Sequence, residues 1–185
     1  MREYDLIIIG GGASGIICAI EAYKKGIKNI LLIEKDNVLG GSLNLSYYNI
    51  SKQRYMIGKT YEKFLLKELE KCEIDIKLDT MVIKIEDENK VLCTNPANGI
   101  EKIKGKNIIL ANGAKEGSRK ALDMVGDRCS GILTVGMANK ILNMGNIVPG
   151  KNILIYDNKT LYMIKDELKN RNINVVGIIS IVVEL

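Results

Sequence analysis

A chain of 185 residues with 46% hydrophobic and 26% charged residues has the composition of a globular protein with a buried core. Its net charge of +5 is spread among acidic residues instead of forming a basic arm, so we expect no nucleic-acid partner. No apolar run approaches the roughly 18 residues of a membrane-spanning helix, so no membrane span is expected. The absence of histidine excludes imidazole as a base or metal ligand for this chain acting alone.

Two features of the sequence predict a cytoplasmic protein. The first apolar segment follows Arg2, Glu3 and Asp5, and no small-residue cleavage site follows a basic region, so we expect no secretion signal. The cysteines are far apart and form no Cys-x-x-Cys pair, which predicts reduced thiols and argues against a zinc ribbon or a thioredoxin-type redox pair. They are Cys18, Cys72, Cys93 and Cys129.

The beginning of the chain predicts a βαβ unit. Residues 4–9 form a short, continuous apolar run that ends in three glycines, which is typical of a buried parallel strand followed by a tight turn. Residues 14–25 carry apolar side chains at helical spacing, and Gly26 closes the helix. Residues 29–34 form a second apolar strand, so the unit has about the usual thirty residues.

The middle of the chain predicts a helix and several strands. A glycine-rich loop at 38–42 precedes a helix at about 56–72 with apolar residues on one face. Residues 74–85 read as extended structure, and turn-forming residues divide 82–104 into a small antiparallel meander. A third buried strand is predicted at 107–111.

The last part of the chain predicts a second, partial βαβ unit. Residues 115–148 read as a connector with a short helix at 137–144, and Pro149-Gly150 marks a boundary. The unit that follows has a strand at 152–156, a helix at 161–170 and a strand at 174–183. The predicted fold class is therefore α/β: a Rossmann-like parallel sheet with a small antiparallel meander (domain 1–148), plus the partial unit (149–185).

The motif with the clearest chemical meaning is Gly10-x-Gly12-x-x-Gly15, because it follows a strand, opens a helix and is followed by Glu34 19 residues after its last glycine. Gly10 permits the tight turn, Gly12 lets a pyrophosphate approach, and Gly15 lets helix and strand pack closely. The phosphates would contact the amides at the helix N-terminus. The Glu34 carboxylate would accept hydrogen bonds from the ribose hydroxyls and would repel a 2′-phosphate. The binding residues predicted from this motif are Gly10, Gly12, Ala13, Ser14, Gly15 and Glu34.

The stretch Glu34-Lys35 followed by Gly40-Gly41-Ser42 resembles the flavoproteins with two dinucleotide-binding domains, the pyridine nucleotide-disulfide oxidoreductase superfamily. Their strand followed by Ala-Thr-Gly is similar to residues 108–114, with Asn112 in place of the threonine. The resemblance implies FAD as cofactor and adds further residues to the predicted site, including a strand residue near the adenine. They are Lys35, Gly40, Gly41, Ser42, Val82, Ala111, Asn112 and Gly113.

Residues 126–136, which read Gly-Asp-Arg-x-x-Gly-Ile-x-Thr-x-Gly, look like a segment of the group that contains anaerobic glycerol-3-phosphate dehydrogenase and opine or amine oxidase subunits. This narrower resemblance implies an FAD-dependent oxidoreductase that takes a hydride from a small-molecule substrate. The tyrosines Tyr47, Tyr48, Tyr55 and Tyr61 could line a pocket or pack in the core. Lys115, Glu116 and Arg119 could approach the flavin or be solvated loop charges.

Three departures from the family leave a second interpretation open. Asp157-Asn158-Lys159-Thr160 stands where relatives have a second glycine fingerprint, so NAD(P)H binding there is not expected. Relatives are longer and return to complete the flavin half of the FAD domain, and some carry a cysteine after the Gly-Gly loop that this chain lacks. The alternative is a non-catalytic or truncated nucleotide-binding module that needs a partner chain. Because 174–183 has an apolar, β-branched edge, we expect a homo-oligomer or a second polypeptide at this strand.

Overall fold

The structure is a computed structural model, and its described residues form two compact units. The first unit comprises Met1–Asn44 and Lys59–Ala114, and the second comprises Leu45–Gly58 and Lys115–Leu185. In the part of the chain that the structure describes, no helix is both long and apolar enough to cross a membrane. The described residues are 2–46, 50, 56–114, 116–117, 125–127, 130–144, 146–156 and 168–179.

The first unit contains a six-stranded sheet. Its elements are β1 (Glu3–Ile9), α1 (Ala13–Lys24), β2 (Ile30–Ile33), a 3₁₀ helix (Gly41–Leu45), α2 (Gly58–Leu69), β3 (Asp75–Lys77), β4 (Met81–Glu86), a 3₁₀ turn (Asp87–Asn89), β5 (Lys90–Asn95) and β6 (Gly99–Leu110). The strand order in the sheet is β3-β2-β1-β6-β5-β4. The pairs β3–β2, β2–β1 and β1–β6 are parallel, whereas β4, β5 and β6 form an antiparallel meander. This arrangement confirms the predicted fold class.

Strand β6 belongs to both the parallel sheet and the meander. Its first half pairs antiparallel with β5 and its second half pairs parallel with β1, over 12 residues without interruption. The sequence predicted two separate strands here. Gly105 lies where β6 passes from one pairing to the other, and a Cβ at this position would come within 2.9 Å of the Ile7 side chain. The absence of a side chain at Gly105 therefore lets β6 lie close to β1 at this point.

Strands β1 and β2 are largely buried on both faces, which explains their continuous apolar sequences. On one face, α1 and α2 cover a core that includes Ile8, Ile16 and Leu32. On the other face, the meander covers a second core that includes Ile7 and Leu31 together with Val91, Cys93 and Ile103. The unit thus has three layers, with helices, parallel sheet and meander in that order.

The second unit contains α3 (Val135–Met144) and the parallel strand pair β7 (Asn152–Tyr156) and β8 (Asn174–Ile179). Helix α3 begins two residues earlier than predicted, and the Thr134 hydroxyl accepts a hydrogen bond from the Met137 amide at 3.3 Å. One face of the strand pair contributes to a small core with α3, whereas Leu154 and Val176 are 62% and 61% exposed. Residues 168–170 are helical, and the rest of the predicted helix and residues 180–183 of the predicted strand lie outside the described residues.

Candidate nucleotide-binding site

The first glycine loop connects β1 to α1, and its three motif glycines have different environments. Gly10 has a φ of +112°, and a Cβ there would overlap the carbonyl group of Ala111. A Cβ at Gly15 would overlap the Gly10 carbonyl oxygen, so the helix can approach the strand this closely only with glycine at that position. Gly12 differs from both, because, apart from its chain neighbours, no atom of the described residues lies within 4 Å of the position of its Cβ. The loop is therefore tightly packed at Gly10 and Gly15 and open at Gly12.

The second glycine loop lies directly against the first. The Gly40 amide donates a hydrogen bond to the Gly11 carbonyl at 2.8 Å, and Gly12 and Gly40 pair as a parallel β-bridge. Gly41 is close enough that a Cβ on it would lie 3.0 Å from the Gly12 Cα. Both glycines of the second loop have positive φ values, +108° at Gly40 and +54° at Gly41, which disfavour other residues. Main chain from both loops thus meets at the open position beside Gly12.

Helix α1 points its N-terminus toward this junction. The first amide to bond within the helix region is that of Ile16, which donates to the Gly12 carbonyl at 3.0 Å. The amides before it have no acceptor within the helix. The N-cap Gly12 provides no side-chain cap, and the first turn, which includes Ala13 and exposed Ser14, carries no acidic residue. The positive end of the helix dipole is therefore not neutralised by its own first turn.

Glu34 follows β2 and turns its carboxylate back toward the first glycine loop. The side chain is 6% exposed, its Oε2 accepts from the Gly11 amide at 2.6 Å, and its Oε1 accepts from the Asp36 amide at 2.9 Å. A carboxylate oxygen can accept more than one hydrogen bond, so these contacts leave acceptor capacity on both atoms. The sequence predicted Glu34 as a ribose acceptor, and the structure adds that its carboxylate also fixes the first loop. The ammonium of Lys35 pairs with Asp36 at 2.8 Å on the surface.

Of the remaining predicted residues, four follow elements that reach the two glycine loops, and one, Val82, lies on β4. The Ala111 amide donates to the Ile9 carbonyl at 2.8 Å, so 111–113 continue from β6 beside the first loop. Asn112 and Gly113 are exposed, as is Ser42 in the 3₁₀ helix after the second loop. Val82 is half-buried on β4 and packs against the meander core.

A turn at residues 78–80 connects the Glu34 region to the strand that carries Val82. The Thr80 amide donates to the Glu34 carbonyl at 2.9 Å. The side-chain amide of Asn95 lies 3.1 Å from the Leu78 carbonyl oxygen and 3.0 Å from the Thr80 hydroxyl oxygen, to which it donates. The sequence places Asn95 in a turn, and no neighbouring residue indicates that its side chain reaches the turn at residues 78–80.

The other candidate side chains have structural contacts or lie outside the described residues. Tyr61 stacks on Phe64 with ring centroids 6.2 Å apart and packs against the helix-side core. Glu116 accepts a hydrogen bond from the Gly136 amide at 2.7 Å, at the N-terminus of α3. The remaining candidates lie outside the described residues: Tyr47, Tyr48, Tyr55, Lys115, Arg119 and the segment 157–160.

The thiols in the described part of the chain have the environment of packing residues. Burial raises the pKa of Cys18 above its usual value. Burial, together with the nearby Glu101 carboxylate, raises the pKa of Cys93 to about 11. Reactive thiols need a lowered pKa, so neither residue has the character of a redox nucleophile. Among the described residues, no group of three or more His, Cys, Asp or Glu side chains is arranged to hold a metal ion.

Comparison with known families identifies the fold. Residues 4–177 match the model of the family described as pyridine nucleotide-disulphide oxidoreductase. The chain belongs to this family. The resemblance predicted from the glycine loops and the Ala-Asn-Gly segment is therefore confirmed, and with it a fold built to bind a flavin or nucleotide cofactor.

Individual relatives are similar over most of this chain, and an opine oxidase is among them, as the narrower resemblance predicted. The chain is 28% identical over 163 residues to a ferredoxin–NADP reductase of Lactococcus lactis, covering 84% of this chain and 49% of that protein. It is 25% identical over 175 residues to an opine oxidase component of Agrobacterium tumefaciens, covering 89% and 34%. The crystal structure of L-proline dehydrogenase from P. horikoshii shares the fold with a TM-score of 0.78 and 22% identity, covering 97% and 35%. The chain thus spans about half or less of the length of these proteins.

Proposed function

We propose that this chain binds FAD and is an FAD-dependent oxidoreductase or the FAD-binding subunit of one. The observation that carries the proposal is the open space beside Gly12, where two glycine loops and the N-terminus of α1 meet. Main-chain amides at the positive end of a helix dipole suit a pyrophosphate. Any side chain at Gly12 would enter this space.

The residues around the junction have the chemistry to hold the ADP half of FAD. The amides of 12–15 and the backbone of Gly40-Gly41 would hold the pyrophosphate, with Ser42 beside them. The Glu34 carboxylate would accept hydrogen bonds from the ribose hydroxyls and, as an anion, would disfavour binding of a 2′-phosphate. Val82 would lie along the adenine, and Lys35 would neutralise the neighbouring Asp36, whose charge would otherwise add to that of Glu34.

When bound, FAD supplies the redox chemistry, in which it accepts a hydride from a small reduced substrate and passes the electrons to an acceptor. The part of the protein would be to bind and orient the cofactor. Ala111, Asn112 and Gly113 extend from the strand next to the first glycine loop, so we assign them to the rim that the rest of the cofactor would follow. We assign FAD binding to the first unit, within the domain predicted at 1–148, and propose that 149–185 belong to a partial unit that binds no nucleotide. A cytoplasmic location fits the free thiols of Cys18, Cys72 and Cys93.

A second candidate is a nucleotide-binding module that a partner chain completes. The observation in its favour is the exposed apolar face of the β7–β8 pair, where Leu154, Val176 and Ile178 are accessible. Parallel strands are normally covered on both faces, so this face suits a second copy of the chain or a separate polypeptide at β8. In this case FAD would bind weakly through its ADP portion.

The purified protein distinguishes the two candidates. We expect a bound yellow ligand that is released by heat and elutes as FAD on chromatography. Recovery of FMN or of NADP would contradict the assignment of Glu34. A colourless protein that scatters light as an oligomer, and binds FAD no more tightly than ADP, would instead support the partner-dependent module.

A further inference from the structure

Glu62 is a buried carboxylate that the proposed function does not use. It lies on α2 and is 5% exposed, which is unusual for glutamate unless the charge is paired. The Lys59 ammonium, one turn earlier, lies 2.6 Å from its Oε2. The geometry of this contact is that of an ion pair and not of a hydrogen bond. Because the Lys59 side chain is 37% exposed, this ion pair is expected to add little stability by itself, which directs attention to what else it contacts.

The pair continues into a chain of hydrogen bonds that ends at the second glycine loop. Lys59 Nζ donates to Asn44 Oδ1 at 2.9 Å. Asn44 Nδ2 in turn donates to the carbonyl oxygen of Leu39 at 2.7 Å, the residue immediately before Gly40. The chain therefore links α2 to the main chain at the start of the loop.

The same side chains also pack against the loop. A Cβ on Gly40 would lie 2.9 Å from both Asn44 Nδ2 and Glu62 Cγ. Gly40 is thus held between the first glycine loop, to which its amide is bonded, and this cluster of α2 and Asn44. Glycine has the largest conformational freedom of any residue, so two consecutive glycines need such external contacts to keep one conformation.

We propose that Asn44, Lys59 and Glu62 are positioning residues that hold the Gly40-Gly41 loop in the conformation that receives the pyrophosphate. The inference rests on the proposed function, because it gives the loop a ligand. Without the cluster, ligand binding would also have to order the loop, which lowers affinity. The three side chains would act through the main chain of the loop, without touching the ligand.

The test compares loop order and ligand affinity in Asn44→Ala and Lys59→Met, with Lys63→Met, an exposed lysine on the same helix, as the matched control. We expect faster amide hydrogen exchange over residues 38–45 in the two cluster variants, and unchanged exchange over residues 4–9. We also expect about a tenfold loss of ADP affinity, because the loss of one hydrogen bond within the cluster would destabilise the ordered loop by the amount typical of a bond to a charged or buried group. Adenosine affinity should not change. The control should behave as the parent.

The ratio of ADP to adenosine affinity separates a positioning role from a general loss of structure. Equal losses for ADP and adenosine, or unchanged exchange and unchanged ADP affinity in both cluster variants, would overturn the inference. If the parent bound neither ADP nor FAD, the proposed function itself would fail. The exchange experiment would then still decide whether the three side chains hold the loop.

Discussion

Substitution of Gly12 by valine is expected to abolish ADP and FAD binding and to leave the fold intact. The backbone of Gly12 has a φ of −76° and a ψ of −175°, which any residue can adopt, and, apart from its chain neighbours, no atom of the described residues lies within 4 Å of its Cβ position. The unliganded protein can therefore accommodate the side chain. The same side chain would occupy the space that we assign to the pyrophosphate. Loss of two charge-assisted hydrogen bonds at about 1.5 kcal/mol each would lower affinity roughly a hundredfold or more.

Calorimetric titration of ADP, together with the thermal unfolding midpoint, measures both parts of this expectation. Gly150→Val is a suitable control, because a Cβ there would make only an ordinary contact of 3.8 Å with the Asn152 carbonyl oxygen, its φ is outside the positive range, and it belongs to the second unit. It should bind ADP as the parent does. A Gly12→Val protein with parental affinity for ADP would show that the pyrophosphate does not approach there.

Substitution of Gly15 by alanine is expected to destabilise the first unit strongly. In an ordinary position of a helix, alanine would be favoured over glycine by about 1 kcal/mol. Here its Cβ would overlap the Gly10 carbonyl oxygen, and the obstacle is main chain that cannot rotate away. Either α1 must move from β1 or the first glycine loop must shift. We expect a loss of about 2–4 kcal/mol in the free energy of unfolding, the upper range for overpacking, since backbone is involved.

Urea denaturation of Gly15→Ala against the parent gives this loss directly, and Ser14→Ala is the matched control. Ser14 is exposed in the same turn of the helix, so its replacement should have little effect on stability. An unfolding free energy of Gly15→Ala equal to or above that of the parent would contradict the close helix–strand packing.

The features that the sequence predicted well are those set by residues near each other in the chain. The βαβ unit follows from apolar runs bounded by glycine, and the separate roles of Gly10, Gly12 and Gly15 follow from their order in a known turn. The overlaps at Gly10 and Gly15 show the tight turn and the close helix–strand packing, whereas the role of Gly12 beside a pyrophosphate stays a prediction. The meander was also predicted, because its turns contain strong turn-forming residues.

The features that the sequence missed depend on contacts between distant segments. Nothing in the sequence near Gly105 indicates that the two strands predicted on either side of it form one strand. The continuity of β6 depends on how closely its backbone approaches the Ile7 side chain. Likewise, Glu34 was predicted to face a ribose, but its hydrogen bond to the Gly11 amide joins residues on different elements. The contact between the two glycine loops could be inferred only through resemblance to a family, since each loop by itself is an ordinary turn.

The central claim is that the junction beside Gly12 and Glu34 binds an adenine dinucleotide without a 2′-phosphate. The most direct test is calorimetric titration of the parent and of Glu34→Gln with ADP and with 2′-phosphoadenosine 5′-diphosphate. The parent should bind ADP at least about tenfold more tightly than the 2′-phosphorylated analogue, because a phosphate would lie against the Glu34 carboxylate. In Glu34→Gln this preference should shrink. Equal or tighter binding of the 2′-phosphorylated analogue by the parent, or no binding of either ligand, would contradict the account.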